Sequence, residues 1–335
     1  MFVAVHDDRC YATHVVRQQH ENTMKKSIIH GSQEKVIGRF APSPTGPMHF
    51  GTLLAAVTSY LLVRTLGGRW LLRIEDLDPP RVVAGADRIL LLLLEQLGFE
   101  WDGPVVYQSD RIWRYHEVLK QLRDKGNTFD CNCTRRQIQA SSGPSGDDGP
   151  VYPGTCRSGM RGQRSEHAVR LRVPNEEIVF HDGIYGIFAQ NLEREVGDFI
   201  LRRADGLFAY QLAVVVDDLD SGVNQVVRGA DLLSSTPRQI WLYRCLGAQP
   251  PAFFHHPLAL GADGRKLSKS HRGYEPVILD NSRKMMWLAL DFLGQMPPPE
   301  LLSADAPNIL RWGVEHFSPT RIPRTHRATP ERTRP

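Results

Sequence analysis

Between Arg39 and Thr52 the chain reads RFAPSPTGPMHFGT, and several of these residues are suited to holding an anion. Gly46 and Gly51 leave out side chains where backbone could approach a bound group. Pro42 and Pro44 stiffen the turn between them. His49 brings an imidazole and Thr52 a hydroxyl to the point where a long apolar run begins. If that run is a helix, its first N–H groups attract negative charge, phosphate above all. Taken alone, the pattern fits a rigid strand-to-helix loop equally well.

Two other clusters could do chemistry. In GADGRKLSKS, Gly261 to Ser270, the cations Lys266 and Lys269 stand three apart in a glycine-rich loop. Such ammoniums suit a polyphosphate whose charge moves during a reaction, although a lysine- and serine-rich loop is also an ordinary solvated turn. It is not a Walker A loop, because no G-x-x-x-x-G-K-[ST] string occurs. Further back, CNC supplies Cys131 and Cys133, and YPGTC supplies Tyr152 and Cys156. Three thiols and a phenol would close a tetrahedral, structural zinc shell, while free loop cysteines remain the other reading. Clustering of three of the five cysteines points to metal binding in a reducing cytoplasm rather than to disulfides.

The elements that must hold these clusters alternate. EKVIGRF reads as a strand, and LLAAVTSYLLVRTLG as a helix closed by Gly67 and Gly68. RWLLRIEDLD reads as strand and turn, with Asp76 and Asp78 as turn formers before Pro79-Pro80. Two helical patterns follow, stopped at Gly98 and Gly126. Residues 131–164 read as a loop-rich insertion. After it, GDFILRRADGLFAYQLAVVVDDLD reads as strand, so that Asp217-Asp218 ends an apolar strand, and STPRQIWLYRCLG as helix. Strands alternating with helices predict an α/β fold built on a parallel sheet. Cys245 falls on the apolar side of the last of these helices and reads as core.

Composition sets the limits. The chain has 335 residues, 41% of them hydrophobic, and a formal charge of +4, which permits a nucleic-acid partner without arguing for one. Its longest apolar run, Ile89 to Leu94, is too short to span a bilayer. The first residues carry acids and no sustained apolar stretch, so no signal peptide is expected. Residues 1–34 read as a loose extension, with Met24 an alternative start.

MHFG after APSPTG, paired with KLSKS some two hundred residues on, resembles the HIGH and KMSKS signatures of class I aminoacyl-tRNA synthetases. RFAPSPTG, RIEDLD, AVVVDD and VVRGADLLSSTPRQ further resemble the glutamyl branch, and the likeness runs in order from about Lys35 to Leu293. It implies a Rossmann-like catalytic domain that condenses L-glutamate with ATP to glutamyl-adenylate, with Mg²⁺ accompanying the nucleotide. The expected organisation is an extension over 1–34, catalytic halves over 35–125 and 197–270, an inserted zinc-containing subdomain over 126–196, a helical region over 271–318 and a disordered basic tail over 319–335. Only a short stretch follows Lys269, with no room for an anticodon-binding domain. The chain is therefore similar to the truncated paralogs, which attach glutamate to the queuosine base at the wobble position of tRNA(Asp), and the Tyr-x-x-x-Cys spacing matches their zinc site. The implied form is a cytoplasmic monomer that does not meet a membrane. A shortened conventional glutamyl-tRNA synthetase and a non-catalytic tRNA-binding or glutamate-sensing relative are the alternatives.

By the same resemblance Arg39, Phe40, Ala41, Pro42, Ser43, Glu75, Tyr210 and Arg228 line the amino-acid site. The charges agree with this, since a dicarboxylate bearing an ammonium needs cations for its carboxylates and an acid for its amine. Gly46, His49, Gly51, Thr52 and Lys269 would hold ATP, with His49, Lys266 and Lys269 stabilising the phosphate in the transition state. One departure stands out: HIGH ends in histidine, and here Thr52 takes that place. Threonine can donate a hydrogen bond or cap the helix, but it supplies no imidazole.

Overall fold

Strand β1 (Ile37–Phe40) leads through the proline-rich turn into helix α1 (Phe50–Arg64), which returns the chain to β2 (Arg69–Ile74). This is a computed structural model, and it describes residues 35–141, 149–160, 166–260, 275–325 and 327–328. β1 and β2 pair in parallel, from Ile37 opposite Arg69 to Phe40 opposite Leu72. Helix α1 lies close on the sheet because Gly38 has no side chain; a Cβ there would stand 2.4 Å from Val63 Cγ2.

The chain continues through α2 (Ala86–Gln96), β3 (Val106–Tyr107), α3 (Ile112–Asp124), β4 (Thr128–Cys131), α4 (Arg135–Ser141) and β5 (Ala168–Leu171). Next come β6 (Glu177–Asp182), β7 (Gly186–Asn191), α5 (Leu192–Glu195), β8 (Ile200–Arg202), α6 (Tyr210–Asp220) and β9 (Gln225–Gly229). The last elements are α7 (Thr236–Leu246), β10 (Ala252–His256), β11 (Ala259–Leu260), α8 (Ser282–Phe292), α9 (Ala306–His316) and β12 (Arg327–Ala328). The large sheet has the order β3-β2-β1-β9-β10-β6-β7. Its neighbours run parallel except for the β6–β7 hairpin. Strands progress outward from β1 in one direction and from β9 in the other. The strand order therefore reverses at the β1/β9 boundary, where the carboxyl ends of an open α/β sheet leave a crevice for ligands.

Side chains of β2 alternate between two apolar cores, as a pleated strand requires. Trp70, Leu72 and Ile74 enter a core shared with α1, α2, α8 and α9, whereas Leu71 packs toward one built from α3, α6 and α7. Among the described residues no helix is long and apolar enough to cross a membrane.

Three expectations need correction. Asp217 and Asp218 do not end a strand: Tyr210–Asp220 is helix α6, buried from Leu212 to Asp218. A valine run buried on all sides carries no helical stripe, so its periodicity cannot separate helix from strand. The small sheet β4-β5-β8 is not a contiguous insert. β6 and β7 lie within the span 126–196 yet join the large sheet, and β8 lies beyond it yet pairs with β5. Finally, the basic tail is ordered at its start. Ile322 is buried at 4% exposure, and Arg327–Ala328 pairs with β11.

Candidate active site and metal centre

A cavity of about 510 Å³ opens at the β1/β9 switch point, within the range of small-molecule sites. It gathers Arg39, Phe40, Ala41, Pro42, Ser43, Gly46, His49, Gly51, Thr52, Glu75, Tyr210 and Arg228. Every site residue expected for the amino acid, and every described one expected for ATP, lines this single space. Lys266 and Lys269 lie outside the described residues. The chain reaches that segment from β11, whose Ala259 lines the cavity. It resumes beside the turn, where the Val277 N–H donates to Met48 O at 2.9 Å.

The turn is held by backbone hydrogen bonds. Pro42 O accepts from the Glu75 N–H at 2.9 Å, and Pro44 O from the Val83 N–H at 2.9 Å, which ties the turn to the end of β2. Gly46 has φ +119, a conformation that favours glycine. The helix cap is His49 rather than Thr52: the Thr52 N–H donates to His49 Nδ1 at 3.1 Å. Thr52 sits too far into the first turn to cap it. Accepting at Nδ1 fixes the neutral imidazole as the Nε2–H tautomer, a donor suited to a phosphate oxygen. Gly51 makes room for this ring, since a Cβ there would lie 3.1 Å from two of its atoms.

The charged wall comes from three strands and one helix. Arg39 lies on β1, Glu75 follows β2, Arg228 lies on β9, and Tyr210 opens α6. Arg39 Nε donates to Asp218 Oδ1 at 3.1 Å. Arg73 Nη1 donates to the same oxygen at 2.6 Å, and Arg73 Nη2 reaches Glu75 Oε1 at 3.1 Å. Burial alone would raise the Asp218 carboxyl, yet Arg39 and Arg73 hold it below its ordinary value. For Glu75 burial wins, and its carboxyl is raised despite Arg73 and Arg39. Arg228 Nε donates to His255 Nε2 at 3.0 Å, Nη1 to Gln239 Oε1 at 2.8 Å, and Nη2 to Thr236 Oγ1 at 2.7 Å. Burial lowers its pKa, with Tyr210 opposing. Asp76 and Asp78 stay in turn roles: Asp76 accepts from Ser109 N at 2.8 Å, and Asp78 from Arg81 Nε at 2.6 Å.

Sequence reasoning missed Arg73, Asp182, Thr236, Gln239 and His255, and left Asp218 without a partner. Only the acidic pair at 217–218 carried any signal, and its meaning depended on a guanidinium contributed by a strand 145 residues away.

The second cluster lies at the end of β4. Sγ atoms of Cys131, Cys133 and Cys156 are all within 4.8 Å of one another. Cys133 and Cys156 approach to 3.5 Å, and Cys131 Sγ lies 3.3 Å from the Tyr152 hydroxyl. Three soft sulfurs and one oxygen at these separations fit a closed four-coordinate metal shell. Burial, with the Cys156 sulfur next, pushes the Cys133 thiol up to about 11; a bound dication would draw such thiols to thiolates. The Arg170 guanidinium lies 3.8 Å from the centre of the Tyr152 ring, where a cation is attracted to the ring face. Gly197 lets the segments meet, because a Cβ there would lie 2.3 Å from Tyr152 O.

The family model for the catalytic domain of class I tRNA synthetases (E and Q) matches residues 35–279. The chain is 52% identical over 288 residues to a glutamyl-Q tRNA(Asp) synthetase of Dechloromonas aromatica, covering 86% of this chain and 95% of that one. To the protein of the same name from Geobacter sulfurreducens it is 49% identical, covering 87% and 95%. Among solved structures, a glutamate tRNA ligase of Elizabethkingia meningosepticum in complex with its amino acid superposes with a TM-score of 0.72 at 25% identity, over 89% of this chain and 67% of that one. Sequence over most of the chain and fold at a quarter identity lead to one conclusion: the chain belongs to the class I tRNA synthetases of the glutamate and glutamine type, among their glutamyl-Q tRNA(Asp) synthetases.

Proposed function

We propose that the cavity at the β1/β9 switch point activates L-glutamate with ATP, and that the product glutamate is passed to the queuosine base of tRNA(Asp). The observation that carries this reading is the charge pattern: buried Arg39 and Arg228 beside one acid, Glu75, next to the anion-ready start of α1. Two cations and an acid complement a dicarboxylate with an ammonium. The names of the relatives support the queuosine acceptor. The glutamate α-carboxylate attacks the α-phosphorus of ATP and expels pyrophosphate. A hydroxyl of the queuosine cyclopentene ring then attacks the activated carbonyl and releases AMP. Positioning and charge stabilisation are the protein's share of the work. His49 and the α1 N-terminus meet the phosphate, Lys266 and Lys269 follow the leaving pyrophosphate, and Mg²⁺ travels with the nucleotide. Zinc bound by Cys131, Cys133, Tyr152 and Cys156 would be structural. These substrates place the enzyme in the cytoplasm.

The test is ATP–pyrophosphate exchange with glutamate, glutamine and aspartate, followed by labelling of tRNA from cells that make queuosine and from cells that cannot. Glutamate-dependent exchange, reduced at least about tenfold by Lys269→Ala, and label confined to the queuosine pool are expected. Equal labelling of both pools, or label on tRNA(Glu), refutes the acceptor assignment.

A further inference from the structure

Arg228 is aimed by residues that do not line the cavity. Asp182 ends β6, and its Oδ1 accepts the backbone N–H groups of Ile184 at 2.9 Å and Tyr185 at 2.8 Å, so the hairpin turn fixes that oxygen. Its Oδ2 faces His255 Nδ1 at 2.6 Å and the His255 backbone N–H at 3.1 Å. Gly183 allows this close approach of the hairpin to β10, since a Cβ there would lie 2.1 Å from the Phe254 ring. Both Asp182 and His255 are fully buried.

We infer that Asp182 and His255 are positioning residues for glutamate recognition: the carboxylate selects one imidazole tautomer, and that tautomer aims the Arg228 guanidinium. The inference rests on the reading that glutamate binds against Arg228. A carboxylate can only accept, so the proton of the neutral ring sits on Nδ1 and Nε2 presents a lone pair. That lone pair is 3.0 Å from Arg228 Nε and 3.2 Å from Thr236 Oγ1, both of which can donate. Arginine nitrogens cannot accept, so a proton on Nε2 would set N–H against N–H. Burial above all, with Arg228 beside it, holds the His255 pKa below its ordinary value despite Asp182. The imidazole, Gln239 and Thr236 are neutral acceptors, and they fix the direction of the guanidinium without cancelling its charge. A carboxylate placed there instead would fix the direction and neutralise the ligand-binding cation.

Asp182→Asn separates position from fold. The amide oxygen can keep the two turn bonds and the longer 3.4 Å contact with the His255 backbone N–H, while its N–H₂ gives up the 3.1 Å backbone bond, faces His255 Nδ1 and drives the ring proton to Nε2, against Arg228. The experiment is ATP–pyrophosphate exchange on the full chain, with glutamate and ATP titrated separately, for wild type, D182N, H255A and H255Q. D182N and H255A should raise the glutamate KM at least about tenfold, the smaller effect expected when a charged group loses a hydrogen bond. The ATP KM should stay within about threefold of wild type on the same scale. H255Q, whose amide oxygen can accept from Arg228 Nε, should recover most of the loss. Nitrogen-15 spectra of the His255 ring supply a readout independent of activity, with the proton on Nδ1 in wild type and on Nε2 in D182N. An unchanged glutamate KM in D182N, a parallel rise in both KM values, or a wild-type ring protonated at Nε2 overturns the inference. Should the variants fail to fold, the wild-type tautomer still decides it. Absence of glutamate-dependent exchange in wild type would instead count against the proposed function.

Discussion

Removing the Asp218 carboxylate should destabilise the protein far more than removing the nearby Asp220. Asp218 is 3% exposed, and the two guanidiniums it joins, Arg39 and Arg73, are 4% and 3% exposed. In Asp218→Ala, Arg73 keeps Glu75 at 3.1 Å and Asp217 at 3.7 Å. Arg39 is left with the carbonyl of Val227 at 3.4 Å. Stranding a buried charge in this way costs about 3–5 kcal/mol. At roughly 2–4 °C per kcal/mol for a chain of this size, the midpoint should fall by about 6–20 °C. Asp220 also joins two arginines, Arg111 and Arg114, but its side chain is 27% exposed. Solvent-screened pairs contribute about 0–1 kcal/mol, so Asp220→Ala should move the midpoint by less than about 4 °C. Thermal unfolding of both variants by circular dichroism, with urea titration as a check, measures the contrast. The pH dependence follows from the lowered Asp218 pKa. Its stabilisation is complete above the unfolded carboxylate value of about 4, and it is lost as pH falls through the lower folded value. The wild-type advantage should therefore be flat from about pH 5 upward and shrink only in strong acid. Equal midpoints for the two variants would refute the reasoning.

A raised Glu75 pKa makes glutamate binding acid-sensitive. As pH falls through that value the glutamate KM should rise, while Glu75's own contribution to stability increases, because the folded state then binds the extra proton; Glu75→Gln should flatten the KM profile. Gly51→Ala should push the His49 ring from its cap, costing about 0.5–2 kcal/mol in stability and raising the ATP KM more than the glutamate KM. Purified protein should carry about one zinc per chain. Cys131→Ser should lose it and lower the midpoint before any specific chemical step fails, as metal analysis beside calorimetry will show.

Local chemistry was the legible part. Prolines, glycines and a histidine within one turn announce a strand-to-helix crossing, and the crossing lies where the sequence places it. Three cysteines and a tyrosine stand out as possible ligands by their types and by the resemblance, and the structure brings them together. Residues that act across the sheet left no such trace. His255 and Asp182 are separated by 73 positions, and either alone is an ordinary buried polar residue at the end of a strand. The α6 valines were misread because burial on every side erases the stripe that marks a helix. The β6–β7 hairpin could not be assigned to a sheet from its own residues, since the partner that claims it, β10, comes later in the chain.

The join between β1 and β9 also sets the order in which the site can come into being. Arg39 and Arg73 are synthesised long before Asp218, and the phosphate-binding turn long before Arg228. The Gly38–Gln225 pairing closes only after the whole intervening chain has left the ribosome. At about 5–20 residues per second, that delay is roughly 10–40 s. Once Tyr107 is made, β1 is the open edge of a three-stranded parallel fragment, and Arg39 on that edge waits for Asp218 to be translated. An unpaired edge of that kind invites misassociation. The nascent half-sheet thus presents an edge that the finished sheet covers with β9.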